Sequence, residues 1–372
     1  MNKRKTKITV LAIILIALIA ILVISFTGHT IKSETVKIGL IVPLTGDLAP
    51  YAEGVYNSVI MAVEESNLNI ELIVEDDRGC NSKEAVTAAY KLIDIDTVNA
   101  IIGPCCSSPT LSVAPIVDQK KIVLISPSAT SKLVTNAGNY VFRTIASDLD
   151  KSIAVSKYAY DQGYRKAAIL YDVSADAQVQ QKEEVKEYFE KYGGKIILED
   201  SFSSTDKDFR TQLSKIKESD TDMLFLSSLV SETVLILRQA KEIGLNIQII
   251  NTDTSGANLI DFEKEISEGV IFPFATTPEN KEYNSFILKY KERFGKDPMP
   301  FSIEGYDAAV LLIRAIEKSD KSNEDIKNKL YETGQNYYGA SGIISFDNNG
   351  DVNKPLTIMQ IRNNELIEIE KI

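Results

Sequence analysis

Two α/β lobes built on parallel sheets, joined by a hinge and preceded by an apolar N-terminal segment, are what this chain predicts. Three observations carry that reading. The length of 372 residues suits two domains plus an extra segment. β-Branched apolar runs alternate with amphipathic stretches, the mark of a parallel sheet covered by helices on both faces. The alternation then starts again halfway along the chain, after a stretch with no Pro/Gly/Ser linker, which favours a hinge over independently tumbling units.

The elements follow in order. Residues 10–24 are an unbroken apolar run of fifteen, extended by Ile8 and Phe26 to a 19-residue segment behind Lys3, Arg4, Lys5 and Lys7. That basic flank and near-bilayer length read as an uncleaved membrane anchor in preference to a cleaved signal. Either reading places the bulk of the chain outside the cytoplasm. Strands are expected at 36–42, 70–74, 100–102 and 122–125, with helices at 54–66, 83–93 and 107–119 between and after them. The second series pairs helices 151–163, 177–192, 208–218 and 232–244 with strands 167–171, 195–198, 223–226 and 247–250. Gly163, Gly193 and Gly244 close helices, as the left-handed C-terminal cap prefers. Helices 283–294, 303–318 and 324–332 come next, and strands near 342–346, 356–361 and 366–369 end the chain.

Composition narrows the chemistry. The formal charge is −11, and beyond residue 35 the body carries 36 basic against 51 acidic residues. Such a surface repels phosphate backbones, so no nucleic-acid partner is expected. The one histidine, His29, lies beside the apolar segment, outside the folded body. Histidine-based acid–base catalysis and zinc ligation therefore have no residue to use there. Neither G-x-x-x-x-G-K-[ST] nor G-x-G-x-x-G occurs. No cofactor, metal site or catalytic residue is expected. Of three cysteines, Cys80, Cys105 and Cys106, an oxidising exterior permits one disulfide from Cys80 to either of the neighbouring pair. Three buried thiols are the alternative.

In open parallel sheets, ligands bind beyond the carboxyl ends of the strands. Four small, polar loops fall there: 43–51, 103–108, 126–131 and 251–256. Ser and Thr at helix starts leave backbone N–H groups facing an anion, so the first lobe suits a carboxylate. Asp253, at the mirror position in the second lobe, offers a charge to an ammonium. Taken singly, Ser107 and Thr130 are also plausible helix caps, Asp253 a solvated loop residue and Tyr51 a turn wedge. Their joint placement at strand ends in both lobes favours a binding site.

At these loops the chain resembles the solute-binding proteins of branched-chain amino-acid ABC transporters. The stretches that carry the resemblance are Glu75-Asp76-Asp77 with Cys80, Gly103 with Cys106-Ser107-Ser108, and Ser126-Pro127-Ser128-Ala129-Thr130. Phe142-Arg143-Thr144, Leu237-Arg238-Gln239-Ala240 and Gly305-Tyr306-Asp307-Ala308-Ala309 add to it. The resemblance implies two Rossmann-like lobes of the type I periplasmic-binding fold, the first formed by 36–147 with 277–340 and the second by 148–276 with 341–372, behind the segment 1–35. It implies a disulfide between Cys80 and Cys106, leaving Cys105 unpaired. It implies a ligand carboxylate on Ser107, Ser128, Ala129 and Thr130, an ammonium on Asp253, and the first-loop aromatic at Tyr51. A monomer that delivers an amino acid to an ABC permease, and is no enzyme, is the function it implies.

Two positions depart from the leucine-binding pattern. Asp176-Ala177 replaces a Tyr-Gly pair, and Leu229 stands where a second-lobe aromatic is expected. An added carboxylate and a missing ring point toward a polar, basic or amide ligand. An amide or urea carrier of the same fold is therefore the alternative, and a carboxylate-only hydrolase using Asp176 and Asp253 is a third reading.

Overall fold

Why the chain folds as two layered lobes is visible from its first strand. In the computed structural model, which describes residues 35–372 except 47, 175, 262–263 and 276–279, β1 (Val36–Val42) is buried on both faces. Ile38, Leu40 and Val42 enter one apolar cluster and Ile41 enters another on the opposite face. A strand with two dry faces needs helices on each side, and the connections supply them. The expected anchor or signal at the N-terminus lies outside the described residues. Among the described residues no helix is long and apolar enough to cross a membrane.

The first series runs α1 (Ala49–Glu64), β2 (Ile70–Asp76), α2 (Ser82–Tyr90), β3 (Ala100–Ile102), α3 (Ser107–Lys120), β4 (Val123–Ser126) and β5 (Val141–Arg143). Its five strands pair in parallel in the order β2-β1-β3-β4-β5. The first helix begins at Ala49, five residues before the expected start. Pro50 in its first turn supplies a preset φ and needs no N–H partner there, so the helix extends back to include Tyr51.

The second series runs α4 (Asp148–Asp161), β6 (Lys166–Asp172), α5 (Asp176–Tyr192), β7 (Lys195–Phe202), α6 (Arg210–Glu218), β8 (Met223–Ser227), α7 (Val230–Glu242), β9 (Gln248–Asn251), α8 (Lys264–Ser267) and β10 (Ile271–Ala275). The chain then returns to the first sheet through α9 (Lys281–Phe294), α10 (Ser302–Lys318) and α11 (Asn323–Thr333). α10 and α11 pack with α1 over β1, β3 and β4. The hairpin β11 (Tyr337–Gly339) and β12 (Gly342–Ile344) follows, and Ile344, Phe346 and Val352 still belong to the first core. Beyond them β13 (Leu356–Arg362) and β14 (Glu365–Lys371) join the second sheet, whose order is β14-β13-β10-β9-β8-β6-β7. The inner strands are parallel, whereas β13 and β14 are antiparallel additions at one edge.

Three short strands, β5, β10 and β11, are not among the sequence expectations. Three to five residues are too few to show a period, and β10 finds one of its two partners, β13, only about 85 residues on. The expected strand at 342–346 stops at Ile344, and Phe346 instead makes an isolated antiparallel bridge to Val352. Gly163, Gly193 and Gly244 take positive φ at their helix ends as expected.

Candidate functional site

The carboxyl ends of β1, β3 and β4 carry three loops, the first tied to the end of β2 and the other two bracing each other. After β1, the Leu44 N–H and the Thr45 hydroxyl bond to the Asp76 carboxylate at 2.9 and 2.8 Å, and the Arg78 N–H bonds to it at 2.8 Å. Burial pushes the Asp76 carboxyl up, but these hydrogen bonds outweigh it and hold the group below the usual range. Tyr51, in the first turn of α1, is 36% exposed, and its ring lies 6.4 Å from that of Phe301.

After β3 the backbone turns sharply at Gly103, with φ +86°. A Cβ there would stand 2.1 Å from the Ile41 carbonyl oxygen, so only glycine fits. Cys106 follows and is disulfide-bonded to Cys80, with Cα atoms 5.8 Å apart. Cys105 is a buried free thiol, pushed up to about 12 by burial. Ser107 opens α3, half-buried, and its Oγ accepts the Ser131 N–H at 3.1 Å.

The loop after β4 is fixed from within. Ser126 Oγ donates to the Pro104 carbonyl at 2.6 Å and accepts the Ala129 N–H at 3.1 Å. Ser128 Oγ donates to the Cys105 carbonyl at 2.8 Å, which spends its one proton inside the protein and leaves only acceptor capacity for a ligand. Ala129 is buried, and Thr130 is half-buried. The Thr130 carbonyl accepts the Asp148 N–H at 2.8 Å.

Asp148 begins the second lobe's α4, and its carboxylate takes the Lys151 ammonium at 2.7 Å. Burial would push that ammonium down, but the charges of Asp148 and Asp253 outweigh it and hold Lys151 above the ordinary lysine range. Asp253, two residues past β9 and half-buried, has its N–H on Asn251 Oδ1 at 2.8 Å. Contacts thus run from Ser107 through Ser131, Thr130 and Asp148 to Lys151, and Lys151 feels the charge of Asp253.

Asp176 and Leu229 stand apart from that path. Asp176 is the exposed first residue of α5, and Leu229 is the 50% exposed residue capping α7. The next turn of α5 does reach the first lobe. Ser131 Oγ donates to Gln180 Oε1 at 2.5 Å, and Lys132 lies 3.4 Å from the buried Glu184, whose carboxyl burial pushes up. Among the described residues no cluster of side chains could hold a metal ion.

Sequence reasoning missed Ser131, Arg143 and Lys151 as site residues. Ser131 was legible only as part of a polar loop. Arg143 was visible as part of the Phe-Arg-Thr resemblance, with no partner to suggest a role. Lys151 read as an ordinary helix residue, because nothing local reveals that it is buried between two carboxylates.

Comparison with known proteins agrees with the geometry. The family described as periplasmic binding protein matches residues 35–365. The chain is 27% identical over 349 residues to the leucine-, isoleucine-, valine-, threonine- and alanine-binding protein of Pseudomonas aeruginosa, covering 90% of this chain and 91% of that one. The crystal structure of a leucine binding protein from Thermotoga maritima superposes with a TM-score of 0.79 at 31% identity, over 91% of this chain and 98% of that one. A solute binding protein of an ABC transporter from Rhodopseudomonas palustris, solved with 3,4-dihydroxybenzoic acid, gives a TM-score of 0.75 at 25% identity over 91% of this chain and 97% of that one. Two parallel-sheet lobes, hydroxyl-rich strand ends and a match across the whole folded body lead to one conclusion: the chain belongs to the periplasmic binding protein family.

Proposed function

We propose that the protein captures an α-amino acid between its two lobes outside the cytoplasm and delivers it to an ABC permease. The observation that carries this reading is the charge pattern along the contact path. Buried Lys151 is flanked by Asp148 and acts on Asp253, so one cation sits among two carboxylates. Asp253 is the second-lobe carboxylate that this reading assigns to the ligand ammonium. Ser107, Thr130 and the N-terminus of α3 offer donors to the ligand carboxylate, while the Ala129 N–H is spent on Ser126 Oγ and Ser128 fixes the loop. A zwitterion gripped at both ends binds the closed form best, which draws the hinge shut.

The side chain of the ligand is aliphatic in this reading. Leu229 and Val173 are 50% and 53% exposed at the ends of β8 and β6, with Tyr51 in the first lobe, and such surfaces favour an apolar guest. The Pseudomonas aeruginosa relative, named for leucine, isoleucine, valine, threonine and alanine, supports that class. The polar, basic or amide ligand suggested by Asp176 loses weight, since Asp176 has no contact with the path. The folded body works as a monomer without cofactor or catalysis. The apolar segment near residues 8–26 anchors it to the membrane, with hinge crossings near 147 and ahead of β13.

Titration calorimetry with leucine, isoleucine, valine, threonine and alanine tests the reading, with Asp253→Asn as the variant. We expect saturable binding of at least one amino acid and a loss of tenfold or more in the variant. Unchanged affinity removes Asp253 from the site. The second reading, an ammonium-free ligand such as an amide or urea, is favoured by one observation, that Lys151 already acts on Asp253. Binding of acetamide, urea or 3,4-dihydroxybenzoate with no amino acid bound selects it. Recovery of chemically altered ligand would select the hydrolase.

A further inference from the structure

Arg143, at the end of β5, is fully buried and makes every contact its guanidinium can offer. Nη1 donates to the Ala129 carbonyl at 3.2 Å and to the Ser131 carbonyl at 2.9 Å, gripping the loop on both sides of Thr130. Nε and Nη2 form a two-point pair with Asp351 at 2.7 and 2.6 Å. Nη2 also donates to Thr135 Oγ1 at 2.9 Å, and Thr135 in turn donates to Asp351 Oδ2 at 2.7 Å. The main chain adds a further tie, from the Arg143 N–H to the Gly350 carbonyl at 3.0 Å.

The clip joins a loop 12 to 14 residues before Arg143 to an aspartate 208 residues after it. The 129–131 segment is the loop proposed to hold the ligand carboxylate. Arg143 itself is the last strand residue before the chain passes to α4. Asp351 lies just before the chain passes to β13. Two carbonyls, a hydroxyl and a two-point pair with a carboxylate take all five N–H donors of a planar guanidinium, and the three donors of a lysine ammonium cannot replace them.

We propose that Arg143 is a positioning residue that makes the ligand loop and the first-lobe ends of two hinge crossings one rigid body. Its grip sets the main chain around Thr130, so the N–H groups and hydroxyls keep their aim at the ligand. Its pair with Asp351 registers that aim to the pivot about which the second lobe turns. The inference rests on the binding reading for the role of the loop, while the mechanical coupling itself stands on the contacts alone.

Arg143→Lys and Asp351→Asn in the folded body (residues 33–372) test it, with Thr135→Val as the mildest cut of the same clip. Two readouts are taken well below the melting temperature: hydrogen exchange without ligand, and calorimetry with leucine. Asp351→Asn touches neither Ala129 nor Ser131. We expect it nevertheless to speed exchange at 128–132 together with 348–353 by tenfold or more, and Thr135→Val to do so more weakly. Arg143→Lys is expected to weaken leucine binding by tenfold or more at a temperature where it is fully folded, which simple loss of stability would not do. Unchanged exchange at 128–132 in Asp351→Asn and Thr135→Val overturns the coupling. Wild-type leucine affinity in Arg143→Lys overturns the positioning role. A wild-type protein that binds no amino acid defeats the binding reading, and exchange still judges the clip.

Discussion

Replacing Asp77 by asparagine should make the protein more stable at neutral pH and leave it unchanged in acid. Asp77 is fully buried beside the disulfide loop. Its Oδ1 accepts the Cys80 N–H at 2.8 Å, while Oδ2 meets no partner among the described residues. Burial pushes its carboxyl up from 3.8 to about 6, aided by the neighbouring charge of Asp76 and opposed by the Cys80 N–H. Between those two values the folded protein holds a proton that the unfolded chain has released. Stability therefore falls as pH rises through that window, and the whole penalty is present above it. A shift of about two units, at about 1.4 kcal/mol each, amounts to roughly 3 kcal/mol. Asparagine keeps the acceptor for Cys80 and carries no charge, so it avoids most of that cost at pH 7.5 and little of it near pH 3.8. Urea unfolding of both proteins at pH 4, 5, 6 and 7.5 gives the difference directly, and the titration of groups not coupled to Asp77 cancels in it. A difference that stays flat with pH would refute the assignment of a strained, partly unsatisfied carboxylate to Asp77.

Three more outcomes are expected from the same loops. Gly103→Ala drives a Cβ to within 2.1 Å of a carbonyl oxygen at φ +86°, so it should cost about 4 kcal/mol or more; a thermal melt within a few degrees of wild type would mean the loop after β3 can shift. Reducing the Cys80–Cys106 bond, which spans 26 residues, should remove about 3 kcal/mol by freeing the unfolded chain, read as a lower urea midpoint. An unmoved midpoint would show that the reduced chain is held as firmly without the bond. Cys105, buried with its thiol pushed up to about 12, should resist iodoacetamide in the native protein and react only on unfolding. Rapid labelling of the folded form would contradict that burial.

Much of the architecture was legible because helical and strand periods are local. The continuous apolar run at β1 announced a strand dry on both faces, and the polar loops at 103–108 and 126–131 were found before any coordinates. The disulfide was narrowed by the sequence to Cys80 with one of two neighbours, and the resemblance named Cys106, which the structure bears out. The strands β5 and β10 escaped notice because each is too short to show a period and is defined by the neighbours it pairs with.

The organisation of the site belongs to a different scale. Asp351 is 208 residues from Arg143, and no spacing rule connects an arginine after a short strand to an aspartate in a late turn. Ser128 read as a ligand donor, yet its proton is committed to the Cys105 carbonyl, a fact set by how two loops meet. Lys151 entered the sequence reading only as the start of a helix, and folding buries it against Asp148 within the field of Asp253. The sequence by itself determined which elements form and which loops gather at the strand ends, because side-chain period and turn chemistry act between near neighbours. The tertiary structure alone decided which polar atoms remain available to a ligand and which are spent on one another, because burial and charge pairing depend on distance in space.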